Sequence, residues 1–155
     1  MPSVKNVDEA LRTLGVSGPL GYREFLLKHD GSTSYSFKGR DWLLFGVDVE
    51  SDCLNILDKK RVDGQKPVYS PFILRQFVAT LKSVTGGDST FDQNQNDFSL
   101  DRLASGFAIG DENGDVLFVD SQTQSIYCWY PDGGDVEYLA KSFSEFLRKA
   151  KPQKD

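Results

Sequence analysis

Between Phe107 and Gly134 the chain reads FAIGDENGDVLFVDSQTQSIYCWYPDGG, with five carboxylates, four glycines, three Tyr or Trp rings and one cysteine, but no His, Lys or Arg. Acids at this density can ligate calcium, act as an acid–base pair, or sit solvated on tight turns. An EF-hand-type calcium loop needs acids at positions 1, 3 and 5, glycine at 6 and glutamate at 12. Counted from Asp111, this stretch has glycine at position 4 and Gln122 at position 12, so it reads as turns. Glycosidase-like chemistry needs two carboxyls at a set separation, and no pair is singled out among the 23 acids of the chain.

Other chemistries find fewer candidates still. His29, the only histidine, falls at the end of a helical pattern, where an imidazolium is favoured by the last carbonyls and the dipole; a capping or packing role is expected rather than a catalytic base. Cys53 and Cys128 lie 75 positions apart and form no CxxC pair, so they read as small buried hydrophobes, with a single disulfide left open. One His with two distant Cys is a poor zinc set. The nucleophile elbow, the zinc-protease helix and the phosphate-binding loop are absent, and Gly86-Gly87-Asp88-Ser89-Thr90 lacks the lysine that a phosphate cradle needs. No enzyme, metal or cofactor is expected.

The elements that position these residues follow from period and punctuation. Asn6 with Glu9 resembles a capping box ahead of Val7, Leu11 and Leu14. A second helix is expected from Ser17-Gly18-Pro19, with Tyr22, Phe25 and Leu26 as its stripe and Asp30-Gly31 as its stop. Tyr35 and Phe37 then alternate with serines, Gly39-Arg40-Asp41 turns the chain, and Trp42–Val47 reads as a strand covered on both faces. Ser70-Pro71 opens a helix with Ile73, Phe77, Leu81 and Val84 on its buried side, ending at Gly86-Gly87.

Residues 86–99 are polar and low in complexity, which predicts a mobile loop. Asn113-Gly114 between apolar runs is a strong hairpin signal, because a type I′ turn needs positive φ at both central residues. The register then pairs Glu112 with Asp115, Asp111 with Val116, Gly110 with Leu117, Ile109 with Phe118 and Ala108 with Val119. Gln122-Thr123-Gln124 and Pro131-Asp132-Gly133-Gly134 make further turns around a strand at 125–130, and Val136–Leu139 is the last strand. Ser142 and Glu145 cap a final helix before a tail, 151–155, that frays. The expectation is an α+β fold: one domain over 1–155, an antiparallel twisted sheet with helices packed around it, and a C-terminal β-meander followed by a helix.

Composition sets the class of partner. At 155 residues with 39% apolar content the chain can bury about 68–70% of its unfolded surface. The longest apolar run, Trp42–Val47, is far short of the roughly 20 residues that span a bilayer. The start, MPSVKNVDEALRTLG, has no basic region followed by an apolar one, which implies no secretory signal and a cytoplasmic location. A net charge of −5 argues against nucleic acid and anionic lipid and suits either plain solubility or a basic protein partner.

A helix ending in FLLKHDGS, an LLFGV strand, a mid-chain helix, then FAIGDENGDVLFVD and IYCWYPDGGDVEYLAKSFSEFL together resemble the SUKH superfamily of fungal cell-wall synthesis regulators, Syd proteins and bacterial immunity proteins. The matching positions are Asp30-Gly31, where the family has asparagine and glycine, then Ile109–Asp115, Ile126–Trp129 and Ser142–Leu147. The resemblance implies a non-catalytic module that docks a partner protein, as the many bacterial members that neutralise a cognate toxin do; the net charge of −5 fits an immunity protein for a basic toxin, often a nuclease. The alternative it leaves is a regulatory scaffold that binds a cellular partner. Contact candidates are Glu112, Asp115, Tyr127, Trp129 and Asp132, since interface anchors favour Trp and Tyr and rim acids tune the rate; Trp129 serves equally well as core.

Overall fold

The computed structural model describes residues 3–15, 18–29, 33–47 and 71–153; the sequence features at Ser17, Asp30-Gly31, Cys53 and Ser70 lie outside them. Helix α1 (Val4–Leu14) is capped by Ser3, whose Oγ accepts the Asn6 amide at 3.1 Å, so the cap sits three residues before the expected Asn6. Ser3 holds extended dihedrals and an oxygen one turn ahead of the donor, the geometry a cap requires. Helix α2 (Tyr22–Lys28) starts later than the sequence suggests, with Gly21 at its N-cap in the left-handed region.

Seven antiparallel strands form one curled sheet in the order β8 (Val136–Ala140), β7 (Ile126–Trp129), β6 (Asp115–Val119), β5 (Phe107–Glu112), β2 (Arg40–Leu44), β1 (Ser34–Phe37), β9 (Lys151–Gln153). Strands β1 (Ser34–Phe37) and β2 (Arg40–Leu44) are joined through Lys38 and Gly39, both at positive φ. The turn therefore falls before Arg40, which is itself in the strand. Burial alternates along β2, and Leu43 is 39% exposed, so this strand is covered on one face rather than two; Phe45 and Val47 beyond it are buried.

The meander comprises β5 (Phe107–Glu112), β6 (Asp115–Val119), β7 (Ile126–Trp129) and β8 (Val136–Ala140), followed by α5 (Phe143–Lys149). Asn113 and Gly114 have φ of 52° and 96°, as a type I′ turn demands. The expected pairing holds for Glu112–Asp115, Asp111–Val116 and Gly110–Leu117 and then shifts: Ala108 faces Phe118 and Phe107 faces Val119, with a bulge at Ile109. The bulge turns the Ile109 carbonyl to the Phe45 amide at 2.9 Å, and Ala108 donates to the Pro71 carbonyl.

Helix α3 (Ile73–Thr85) begins after Pro71-Phe72. Its buried residues are Ile73, Leu74 and Val78, with Phe77 and Leu81 half-buried and Val84 78% exposed, so the stripe is rotated from the one read in the sequence. Residues 86–99 are not an unstructured loop but a hairpin, β3 (Ser89–Phe91) and β4 (Asp97–Ser99), followed by α4 (Leu100–Ala104). Asp92 makes the connection: its carboxylate accepts the amides of Asn94 and Asn96 at 2.8 and 3.0 Å and the Asn96 side chain at 3.2 Å. The expected frayed tail contains β9 (Lys151–Gln153), paired with β1.

Each face of the sheet is covered over part of its extent. One carries Tyr35, Phe37 and Trp42 beneath α2 and α5, with Phe25 against Tyr35 and Phe37 against Phe146. The other carries Phe118, Tyr127 and Trp129 beneath α3, α4 and the β3–β4 hairpin, with Phe77 on Trp129 and Phe98 on Tyr127. His29 belongs to the first face: it is 3% exposed, lies 4.6 Å from Phe25, and its Nε2 is 2.7 Å from the Leu44 carbonyl oxygen.

Asp120 ties the second face to α4. It is fully buried, and its carboxylate accepts both Nε and Nη2 of Arg102 at 2.7 and 2.8 Å and the amide and hydroxyl of Thr123 at 2.9 and 2.7 Å. Burial pushes this carboxyl's pKa up, and the Arg102 and Thr123 donors outweigh that, leaving it below the ordinary carboxylate value. Its stabilisation is therefore present above that ordinary value and lost as pH falls through the folded one. Asp120→Ala should lower unfolding free energy by about 3 kcal/mol in urea titration at pH 7, since it strands a half-buried guanidinium, and the difference from wild type should narrow in acid.

Candidate functional site: the acidic turn end of the sheet

Strand register places three turns at one end of the sheet: Lys38-Gly39, Asn113-Gly114 and the 131–134 turn. Residues 38–41, 111–115 and 130–137 carry seven acids, Asp41, Asp111, Glu112, Asp115, Asp132, Asp135 and Glu137, against two cations, Lys38 and Arg40. The acids arrive there because turn chemistry wants Asp, Asn and Gly, and because period-2 alternation brings Glu112 and Asp115 to the same face as Arg40 while Asp111 points to the other.

Arg40 is the centre of this end. Its Nε donates to Glu112 and its Nη2 to Asp115, each at 2.5 Å, and Nη1 donates to the Tyr130 hydroxyl at 3.0 Å. The guanidinium lies 4.5 Å from the Trp42 ring centroid and 5.4 Å from that of Tyr130. The second Glu112 oxygen accepts the Asp41 amide at 2.8 Å, and Tyr130 donates its proton to Glu137 at 2.6 Å. Burial alone would lower the Arg40 pKa, but the two carboxylates raise it, so the guanidinium is fixed as a cation. One charge thus answers three nearby acids, and the excess stays negative.

The backbone beneath this cluster is held close by Gly110. A Cβ there would come within 2.7 Å of the Leu43 carbonyl oxygen and 2.8 Å of Leu44 Cδ2, so the glycine is required by the approach of β2 and not by φ. Asp111 is half-buried on the opposite face, and desolvation raises its pKa against the Gly114 amide that it accepts; Asp115 and Glu112 add to the rise.

Of the residues singled out by sequence, Glu112, Asp115 and Asp132 come together at this end. Tyr127 lies further along β7, and Trp129 reaches this end only from beneath its surface. Tyr127 is half-buried between Phe98, Phe118 and Tyr138. Trp129 is 2% exposed against Phe77 and donates Nε1–H to the Gly134 carbonyl at 3.2 Å, so of its two readings the structure gives core. Sequence reasoning missed Arg40, which looked like a turn residue, and the signal was present: a lone arginine between Gly39 and Asp41, beside Trp42, in a chain whose later hairpin supplies two acids.

Among the described residues, no group of three or more His, Cys, Asp or Glu is placed to hold a metal ion, and no helix is long and apolar enough to cross a membrane. Among the described residues, an open recess of about 440 Å³ between β8 and α5 is lined by Phe37, Tyr138, Ala140, Glu145 and Lys149. Cys128 is a free thiol buried below Arg40, and burial pushes its pKa up to about 12.

Two outcomes follow for this end. Asp111→Asn should raise Tm at pH 7 by about 1–2 °C, because the raised pKa means that the ionised form is disfavoured in the folded state. That gain should shrink toward zero as pH falls below the ordinary carboxylate value, a trend that calorimetric melts across pH would record. Peptide mapping after iodoacetamide treatment at pH 7.5 should find Cys128 unmodified in the folded protein and modified in urea.

No curated protein matches the chain. The model of the SMI1 / KNR4 family (SUKH-1) matches residues 1–149, taking in α1, the whole meander and α5.

Proposed function

Because the chain belongs to the SMI1 / KNR4 family (SUKH-1), whose membership implies protein–protein interaction in general, we propose that it is a non-catalytic binding module that neutralises a cognate basic toxin in the cytoplasm of the producing cell. One observation carries the choice of a basic partner: three turns converge at one end of the sheet with seven acids against two cations. Such a field accelerates encounter with a cationic protein and repels nucleic acid and anionic lipid. It would occupy the site with which a nuclease otherwise meets phosphate.

Within this reading Asp132, with its exposed neighbour Asp135, makes direct contact, and Glu112 and Asp115 contribute field and shape while bound to Arg40. Tyr127 and Trp129 support the end from below through Phe98 and Phe77. Titration calorimetry against the protein encoded next to this one should give a complex whose affinity falls steeply as salt is raised. Asp132→Lys with Asp135→Lys should weaken it by about 10- to 100-fold, mainly through the association rate. No complex, or one indifferent to both salt and charge reversal, would refute the reading.

A further inference from the structure

The two edges of the sheet are protected differently. The β9 edge carries Lys151 and Pro152, a charge and a residue without an amide proton, both of which deter strand addition. The β8 edge, Val136-Glu137-Tyr138-Leu139-Ala140, carries neither lysine nor proline, and Tyr138 is 40% exposed. The outward main-chain groups of Tyr138, at the middle of this edge, are nevertheless occupied. Gln93 Oε1 accepts the Tyr138 amide at 3.0 Å, and Gln93 Nε2 donates to the Tyr138 carbonyl at 3.3 Å. One side-chain amide therefore does what the peptide groups of a neighbouring strand would do.

Gln93 is presented by a built turn. Asp92 folds 92–96 with three bonds to Asn94 and Asn96, its pKa is lowered chiefly by the Asn96 amide, and Gln95 takes a φ of 64° to close the turn. One strand earlier, the Thr90 hydroxyl donates to the Gly134 carbonyl at 2.7 Å and fixes the hairpin beside the start of β8.

We propose that the 92–96 turn is a guard on the β8 edge, and that this edge, once unguarded, pairs antiparallel with β8 of a second copy of the chain. The occupant follows from the strand itself. A two-fold axis through Tyr138 makes Tyr138 face its own copy and exchange the amide and carbonyl bonds now given to Gln93. Glu137 then faces Leu139 of the other copy, so no like charges meet, and the two half-exposed Tyr138 rings become cross-strand neighbours. An isologous contact of this kind closes at two chains.

The test is the mass in solution of Gln93→Ala and of Gln93→Met, the latter keeping the side-chain volume while removing both bonds, with far-UV circular dichroism to confirm folding. Light scattering coupled to size exclusion should show the wild type at the 17.3 kDa monomer and both variants shifting, as concentration rises, toward twice that mass. Adding Tyr138→Pro, which removes the outward amide proton on an edge strand, should return each variant to monomer. Folded variants that stay monomeric at every concentration would overturn the proposal, as would a dimer that survives Tyr138→Pro. Hydrogen exchange supplies an independent reading: the Tyr138 amide should be protected in the wild-type monomer, and rapid exchange there would show that no guard exists.

Discussion

The charge on Arg40 holds together parts of the chain that are far apart in sequence. It joins the β1–β2 turn to the β5–β6 turn through Glu112 and Asp115, and reaches the end of β7 through Tyr130. With both carboxylates and the guanidinium only about a quarter exposed, each ion has lost much of its water, and the compensation lies in several short, charge-assisted bonds and the two flanking rings. A lysine would not substitute, because a single ammonium cannot hold two carboxylates and a phenol in one plane while stacking on Trp42. The geometry of the acidic end therefore depends on one planar cation.

That dependence divides the acids into two kinds. Glu112 and Asp115 are fixed in place as Arg40's partners, and Glu137 is tied to Tyr130. Asp132 and Asp135 stand exposed on the 131–134 turn and its far shoulder. Committed acids set the sign and shape of the surface; exposed ones are free to vary in reach and position without disturbing the sheet. In the function proposed above, this arrangement would keep the framework intact while the outer acids changed with the partner.

How much of this was legible in the sequence depends on how local the cause is. Asn113-Gly114 declared its hairpin because positive φ at two successive residues is a property of those residues alone, and the register near the turn followed. The bulge at Ile109 did not, since it reaches the Phe45 amide, just past the end of β2 and more than sixty residues earlier. Residues 86–99 looked like a loop because their composition is polar, yet Asp92 satisfies the backbone internally and Gln93 finds its partner 45 residues away. Strand β9 has no strand signature of its own and is ordered by the edge of β1. Trp129 was ambiguous for a different reason: alternation tells which face a ring is on, and only the position of α3 tells whether that face is covered.

The resemblance read in the sequence rests on the same local causes. Its positions include the Asn113-Gly114 turn, the Gly110 close approach, the buried β7 strand and the Ser142–Glu145 cap, all of which specify how the chain folds. Glu145 illustrates the point: its carboxylate accepts the Lys141 amide while Ser142 accepts the Glu145 amide, a reciprocal lock that fixes the start of α5 whatever the chain binds. In the function proposed above, identity of fold and identity of partner are thus written in different residues. The first are buried or in turns and are read from pattern; the second would sit on Asp132, Asp135 and their exposed neighbours, where charge and position rather than packing would decide what is bound.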